Sequence, residues 1–315
     1  TRTRCARETG RKLMGTEMRT RASGRYADVV SDAGFKAVFC DKANKEVIRE
    51  FLNVFMPPVR KVESFKLMRT ELPGKADYGK TIRIDLRCRT TDGTDIIVEM
   101  QNYPQCYFFR RCVGYASRLY ESKMERGKNG VEDYRIPPVY IIAVMNVPLA
   151  RSKEDLAEGK YVSEYTFREK ETSEVLDETI SIIFVELSSF DKSIEECESL
   201  ADKWCYALKH IGTLAEQPVE LVELQGLFDA AEVAHFDEKK LAEYEEEIMR
   251  EYDYHSRMAY ADHKGEERGL AKGLAKGLAK GLAKTAINLK AKGMSFEFIL
   301  DVTGLTEEEL KKILS

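Results

Sequence analysis

The chain is poor in the residues that build metal-thiolate, disulfide or membrane-spanning structures. Four histidines, one tryptophan and seven cysteines stand among 315 residues, and no two cysteines form a Cys-x-x-Cys pair. The histidines, His210, His235, His255 and His263, have no cysteine partner at ligand spacing, so a zinc site is not expected. An odd cysteine count without pairing motifs reads as reduced thiols, as in a cytoplasmic protein. No apolar run reaches the roughly 18 residues needed to cross a bilayer, and no signal-peptide pattern opens the sequence. A net charge of −4 and a pI of 5.8 do not announce a nucleic-acid binder, so the distribution of charge matters more than its sum. The length allows two domains, one of them able to bury a sizeable core.

What the chain does have is a charged hairpin, TIRIDLRCRTTDGTDIIVEMQ, from Thr81 to Gln101. Ile82, Ile84, Leu86 and Cys88 alternate with Arg83, Asp85, Arg87 and Arg89, and Ile96, Val98 and Met100 alternate with Ile97, Glu99 and Gln101. That is the period of two strands each buried on one face, and Asp92-Gly93 is the turn signal between them. Only a loop with an odd number of residues keeps both apolar sets on one side, because a one-residue slip turns every side chain over. A loop of Asp92-Gly93-Thr94 sets Val98 against Cys88 and Met100 against Leu86. Asp85 then faces Gln101, with Glu99 diagonal to it.

Two carboxylates brought that close repel unless a cation lies between them or one keeps its proton. A hard divalent ion such as Mg²⁺ suits oxygen donors and retains waters that can be activated. The competing reading pairs Asp85 and Glu99 with Arg83, Arg87 or Arg89 on a solvated face, and spacing alone favours it.

Asp85, thirteen intervening residues and then Glu99-Met100-Gln101 resemble the PD-(D/E)XK nuclease signature in its E-x-Q form. The blocks SDAGFKAVF, IIVEMQNYPQCYFFRRCVGYASRLY and PPVYIIAVMNVPL, in that order, are similar to the Rpn family of recombination-promoting nucleases and putative transposases, from about Asp28 to His210. The resemblance implies DNA as substrate and Mg²⁺ as cofactor, with Mn²⁺ as a substitute. It implies Asp85, Glu99 and the main-chain carbonyl of Met100 as metal ligands, and Asp85, Glu99 and Gln101 as catalytic residues. Asp32 and Lys36, in the D-x-G-F-K pattern, are accessory candidates, although an i,i+4 ion pair explains their spacing almost as well. Since Gln101 brings no charge where the common signature has lysine, Lys36 or Arg110 would supply it; Arg111 reads as a surface residue.

Periodicity and punctuation supply the layout. Two short helices between Asp28 and Phe55 carry Val38, Phe39, Val47, Ile48, Phe51, Leu52 and Phe55 inward. A strand over Val62–Leu72 is closed by Pro73-Gly74. A helix opens at Asn102 and Pro104 and runs to about Glu125, with Phe108, Cys112, Tyr115, Leu119 and Met124 inside. Val139–Val147 is a strand buried on both faces, parallel to its neighbour because a helix connects them. This order of helix, three strands, helix and strand is an α/β, restriction-endonuclease-like core, a mixed sheet flanked by helices with a helical C-terminal arm. Tyr161–Phe167 and Ile180–Leu187 add a hairpin, and Ile194–Ile211, holding Trp204, a covering helix.

The expected divisions are a basic disordered segment over 1–27, the nuclease-like domain over 28–225, a charged helical arm over 226–268, a four-residue GLAK repeat over 269–284 and a small helix-turn-helix-like tail over 285–315. Leu241, Tyr244, Ile248 and Tyr252 stripe the arm. The repeat fits a helix that associates with a partner, such as a second copy of the chain, or a pliable linker. In the tail, Thr306 and Glu309 form a capping-box pattern, and Glu307, Glu308 and Glu309 oppose phosphate contact by the last helix. A rival to the nuclease reading, a catalytically decayed DNA-associated or oligomeric scaffold, predicts no metal binding.

Overall fold

A computed structural model describes residues 24–72, 81–103, 105, 107–124, 136–148 and 160–314. Residues 1–23 of the basic N-terminal segment, the Pro73-Gly74 break and Pro104 lie outside the described residues. Two compact units divide the chain, Thr1–Met249 and Arg250–Ser315.

In the first unit, helix α1 (Asp32–Phe39) begins where the Ser31 hydroxyl accepts the Gly34 N–H at 3.0 Å. Gly34 is required by a close approach: a Cβ there would lie 2.0 Å from the Asp28 carbonyl oxygen. Helix α2 (Lys45–Phe55) buries Val47, Ile48, Phe51, Leu52 and Phe55. Strands β1 (Phe65–Leu67), β2 (Glu71–Leu72), β3 (Ile82–Arg83), β4 (Leu86–Thr90) and β5 (Asp95–Gln101) follow. Both long strands expected here are therefore interrupted. The break at Ile84-Asp85 lets β3 pair with β2 while β4 pairs with β1.

Helix α3 (Phe108–Ser122) then leads to β6 (Val139–Met145), a hairpin of β7 (Val162–Arg168) and β8 (Val175–Glu186), and helices α4 (Leu200–His210) and α5 (Gln225–Ala231). The six-stranded sheet has the order β1-β4-β5-β6-β8-β7. β5, β6 and β8 are mutually parallel and the remaining neighbours antiparallel. All seven residues of β6 are buried, as a continuous apolar run between covered faces requires. One sheet face, with Ile96, Val98, Tyr140 and Ile142, packs against α1, α2, α4 and α5. The other, with Ile97, Ile141 and Phe184, packs against Phe108, Cys112, Tyr115 and Leu119 of α3. Met124 is exposed, because α3 stops at Ser122 before it can turn that side chain inward.

The first unit extends past the expected boundary at 225. Leu227, Phe228 and Ala231 of α5 belong to the main core. Helix α6 (Glu238–Ala291) starts in the same unit, where Leu241, Tyr244 and Ile248 pack with Ala27, Ala33 and Phe236. Tyr252, grouped with them by spacing, is exposed.

In the second unit α6 carries the GLAK repeat as unbroken helix, with Leu270, Leu274 and Leu278 exposed. Helices α7 (Phe296–Thr303) and α8 (Glu307–Leu314) close a small core around Ala286, Ile299 and Leu310. The Thr306–Glu309 capping box forms, each N–H donating to the other's side chain, at 3.0 and 3.3 Å.

Candidate active site

The hairpin keeps the parity that alternation demands, with a register two residues from the expected one. Leu86 lies opposite Val98 and Cys88 opposite Ile96, and the Thr90 N–H donates to the Thr94 carbonyl at 3.0 Å. The loop is Thr91-Asp92-Gly93, still three residues, with Gly93 at φ +85°. Asp92 fixes it by accepting from the Thr94 N–H at 3.2 Å and the Thr94 hydroxyl at 3.0 Å. Continuing this register puts Asp85 opposite Glu99 rather than Gln101, and the two acids meet more directly than the expected pairing allowed.

Asp85 stands at the bend between β3 and β4. There the chain leaves the ladder, and the Asp85 carboxylate takes over the vacant ladder position: its Oδ2 accepts the Met100 N–H at 2.9 Å. The Asp85 N–H in turn donates to Glu99 Oε1 at 3.3 Å. Glu99 is buried at 3 % exposure in β5, and Gln101 at 4 %. Gln101 directs its Nε2 to the Tyr103 carbonyl, and its main-chain carbonyl accepts the Asn146 N–H at 2.9 Å on the β6 side. Main-chain groups of successive strand residues leave on opposite edges, so Met100 directs its carbonyl to the Asp85 side.

The arginines that spacing offered as partners are engaged elsewhere. Arg83 donates to Glu71 at 3.0 Å. Arg87 and Arg89 donate to Asp95, at 3.0 and 3.1 Å, and Lys123 pairs with the same carboxylate at 3.0 Å. Among the described residues neither Asp85 nor Glu99 makes an ion pair, which removes the solvated ion-pair reading. Burial first, and the Asp85 charge second, push the Glu99 carboxyl up to about 8. The Asp85 carboxyl is also raised, by burial and by Asp32, against the hydrogen bond from Met100.

The accessory candidates separate. Asp32, in the first turn of α1, is close enough for its charge to act on both acids. Lys36 acts on Asp85 but is bonded to Glu247 of α6 at 2.6 Å. Arg110 is exposed and lies over the Tyr107 ring at 5.3 Å. Its neighbour Arg111, taken from the sequence for a surface residue, is the α3 guanidinium whose charge acts on both Asp85 and Glu99. Helical phase held that signal: Arg111 is three residues after Phe108 and four before Tyr115, both buried.

An all-oxygen set of two facing carboxylates and a main-chain carbonyl suits a hard divalent cation, which would relieve the repulsion that burial now meets by retaining a proton. Among the described residues no group of three or more His, Cys, Asp or Glu side chains is placed to hold a metal. Such a cation would therefore complete its shell with water or substrate oxygens. No described helix is long and apolar enough to cross a membrane.

Comparison with curated proteins and with solved structures found no match. Residues 29–261 match the family described as PD-(D/E)XK nuclease family transposase, a span that includes the bent hairpin, both acids, α1 and α3. With its six-stranded mixed sheet in a restriction-endonuclease-like arrangement, the chain belongs to that nuclease family.

Proposed function

We propose that the protein is a divalent-metal-dependent DNA endonuclease of the Rpn type, acting in recombination or transposition, with Asp85 and Glu99 as metal ligands. One observation carries the reading: a buried carboxylate, Glu99, and a half-buried one, Asp85, face each other in a hairpin where every nearby arginine of the strands is bound to another acid. A structural pair of that kind would be neutralised by a cationic side chain, as Asp95 is. The family supports a nuclease and DNA as its substrate. Mg²⁺ or Mn²⁺ as the ion, and the cytoplasm as the compartment, belong to the proposal.

A bound cation polarises a phosphoryl oxygen and lowers the pKa of bound water. The protein's part is to hold and orient. Asp85 is anchored by the Met100 N–H, so its second oxygen is available to a ligand. Gln101, with Nε2 committed to Tyr103, keeps Oε1 as an acceptor that orients attacking water. Met100 offers its carbonyl on the same edge. The exposed Leu270, Leu274 and Leu278 support self-association through the C-terminal helices as part of the same proposal.

Supercoiled plasmid with Mg²⁺ tests the assignment. Wild-type protein nicks it and Asp85→Ala does not; equal nicking by both removes the site. The family's transposase label favours strand transfer as a second reading, with a DNA hydroxyl replacing water at the same acids, and joined products in the same assay would reveal it.

A further inference from the structure

The E-x-Q signature places an uncharged amide where a cation would meet the phosphate, so the positive charge must come from another element. We propose that Arg111 supplies it, its guanidinium binding a non-bridging oxygen of the scissile phosphate as charge builds there; this rests on the nuclease reading above.

Position, anchoring and charge together lead to Arg111. It lies in the first turn of α3, between Phe108 and Tyr115, which pack in one cluster with Ile84, next to Asp85, and Ile97, on the strand of Glu99. Its charge favours the ionised form of both acids. Its Nε and Nη2 both donate to the Tyr115 hydroxyl, at 3.0 and 2.7 Å, and the fork lies over the Phe108 and Tyr115 rings at 5.7 and 5.6 Å. Among the described residues it makes no ion pair, and Nη1 makes no hydrogen bond. A phenol hydroxyl and two ring faces orient a guanidinium without pairing its charge, whereas Arg87 and Arg89 are both paired with the Asp95 carboxylate.

The alternatives are weaker on the same grounds. Lys36 is bonded to a carboxylate, and Arg110 is exposed and stacked on Tyr107, itself an exposed ring. Arg111 is charged, fixed and unspent. A planar fork with a donor to spare matches a phosphate oxygen in geometry as well as in sign.

The test compares wild type, Arg111→Ala, Arg111→Lys, Tyr115→Phe and Asp85→Ala for plasmid nicking with Mg²⁺, and measures Mn²⁺ binding by calorimetry. Arg111→Ala is expected to lose about 10²–10³-fold in kcat, the scale of one preorganised transition-state donor, while still binding Mn²⁺ at least as tightly as wild type. Millimolar ethylguanidinium should restore part of that loss in Arg111→Ala and none in Asp85→Ala. Arg111→Lys should retain more activity than Arg111→Ala. Tyr115→Phe, which keeps the charge and removes only its hydroxyl anchor, should lose several-fold in kcat, and it carries the test if Arg111→Ala does not fold. Wild-type rates in Arg111→Ala, loss of Mn²⁺ binding together with activity, or no rescue by ethylguanidinium would each overturn the assignment. Should Asp85→Ala nick like wild type, the nuclease site itself fails; should Asp85→Ala be inactive and Arg111→Ala active, only the role of Arg111 fails.

Discussion

Asp95 and Glu99 stand four residues apart on the same face of β5, both almost fully buried, and the protein treats them in opposite ways. Around Asp95 it collects Arg87, Arg89 and Lys123. Burial alone would raise the Asp95 carboxyl, but hydrogen bonds from Arg89, Arg87 and Lys123 outweigh it and hold the group below its usual range. Beside Glu99 it sets a second acid, and the carboxyl rises to about 8. A buried charge that is paired serves the fold, and a buried charge left facing its like is tolerated where a ligand will answer it. The difference separates a structural acid from a candidate catalytic one within a single strand.

Substitution should separate the two ends of β5 most sharply. Asp95→Ala leaves the buried Arg87 and the half-buried Lys123 without their carboxylate and should cost about 3–5 kcal/mol in chemical denaturation. Glu99→Gln replaces a carboxyl that metal-free protein already holds largely protonated with a neutral amide of the same shape, so its stability should match or exceed wild type while plasmid nicking falls by about a thousandfold. If Glu99→Gln destabilised the protein as much as Asp95→Ala, Glu99 would be a structural residue like its neighbour.

Acidity separates them next. The Glu99 carboxyl is raised from 4.5 to about 8, so metal-free protein holds a proton there that the unfolded chain releases. Its stability contribution is complete below pH 4.5 and is lost as pH rises toward 8. Asp95 has the reverse sign: its lowered value stabilises the fold above the ordinary aspartate range and is lost on acidification through its own depressed value. Denaturation midpoints of metal-free protein across this range should therefore decline from pH 5 to pH 8, and Glu99→Gln should flatten the decline. A slope unchanged in Glu99→Gln would assign it to another group.

The smallest effect is expected at Lys36. It is more than half exposed and its bond to Glu247 is near the surface, so Glu247→Ala should change stability by about 1 kcal/mol or less. Nicking should stay within a few-fold of wild type, since Lys36 is not the charge assigned to the phosphate.

The two-residue period of the hairpin was enough to put Asp85 and Glu99 together, because parity survives any slip by two. Register was not legible: it depends on Asp92 closing the turn on Thr94, a choice between neighbouring threonines that alternation does not distinguish. Nor was the break at Asp85, since Ile84 and Leu86 continue the strand pattern straight through it. The bend matters chemically, for it frees the Met100 N–H that anchors the Asp85 carboxylate. The packing of α5 beyond 225 was hard to read because a charge-rich stretch looks like an arm, although Leu227, Phe228 and Ala231 are spaced to bury one face of α5. Arg111 was readable from its phase against Phe108 and Tyr115, whereas its capture by the Tyr115 hydroxyl required coordinates.

The central claim is that Asp85 and Glu99 await a divalent cation, and calorimetric titration of wild type and Glu99→Gln with Mn²⁺ at pH 8, near the raised Glu99 value, tests it most directly. Wild type should bind saturably and release protons as it does so, with binding absent in Glu99→Gln. Equal binding by the two proteins, or none by wild type, would contradict the account.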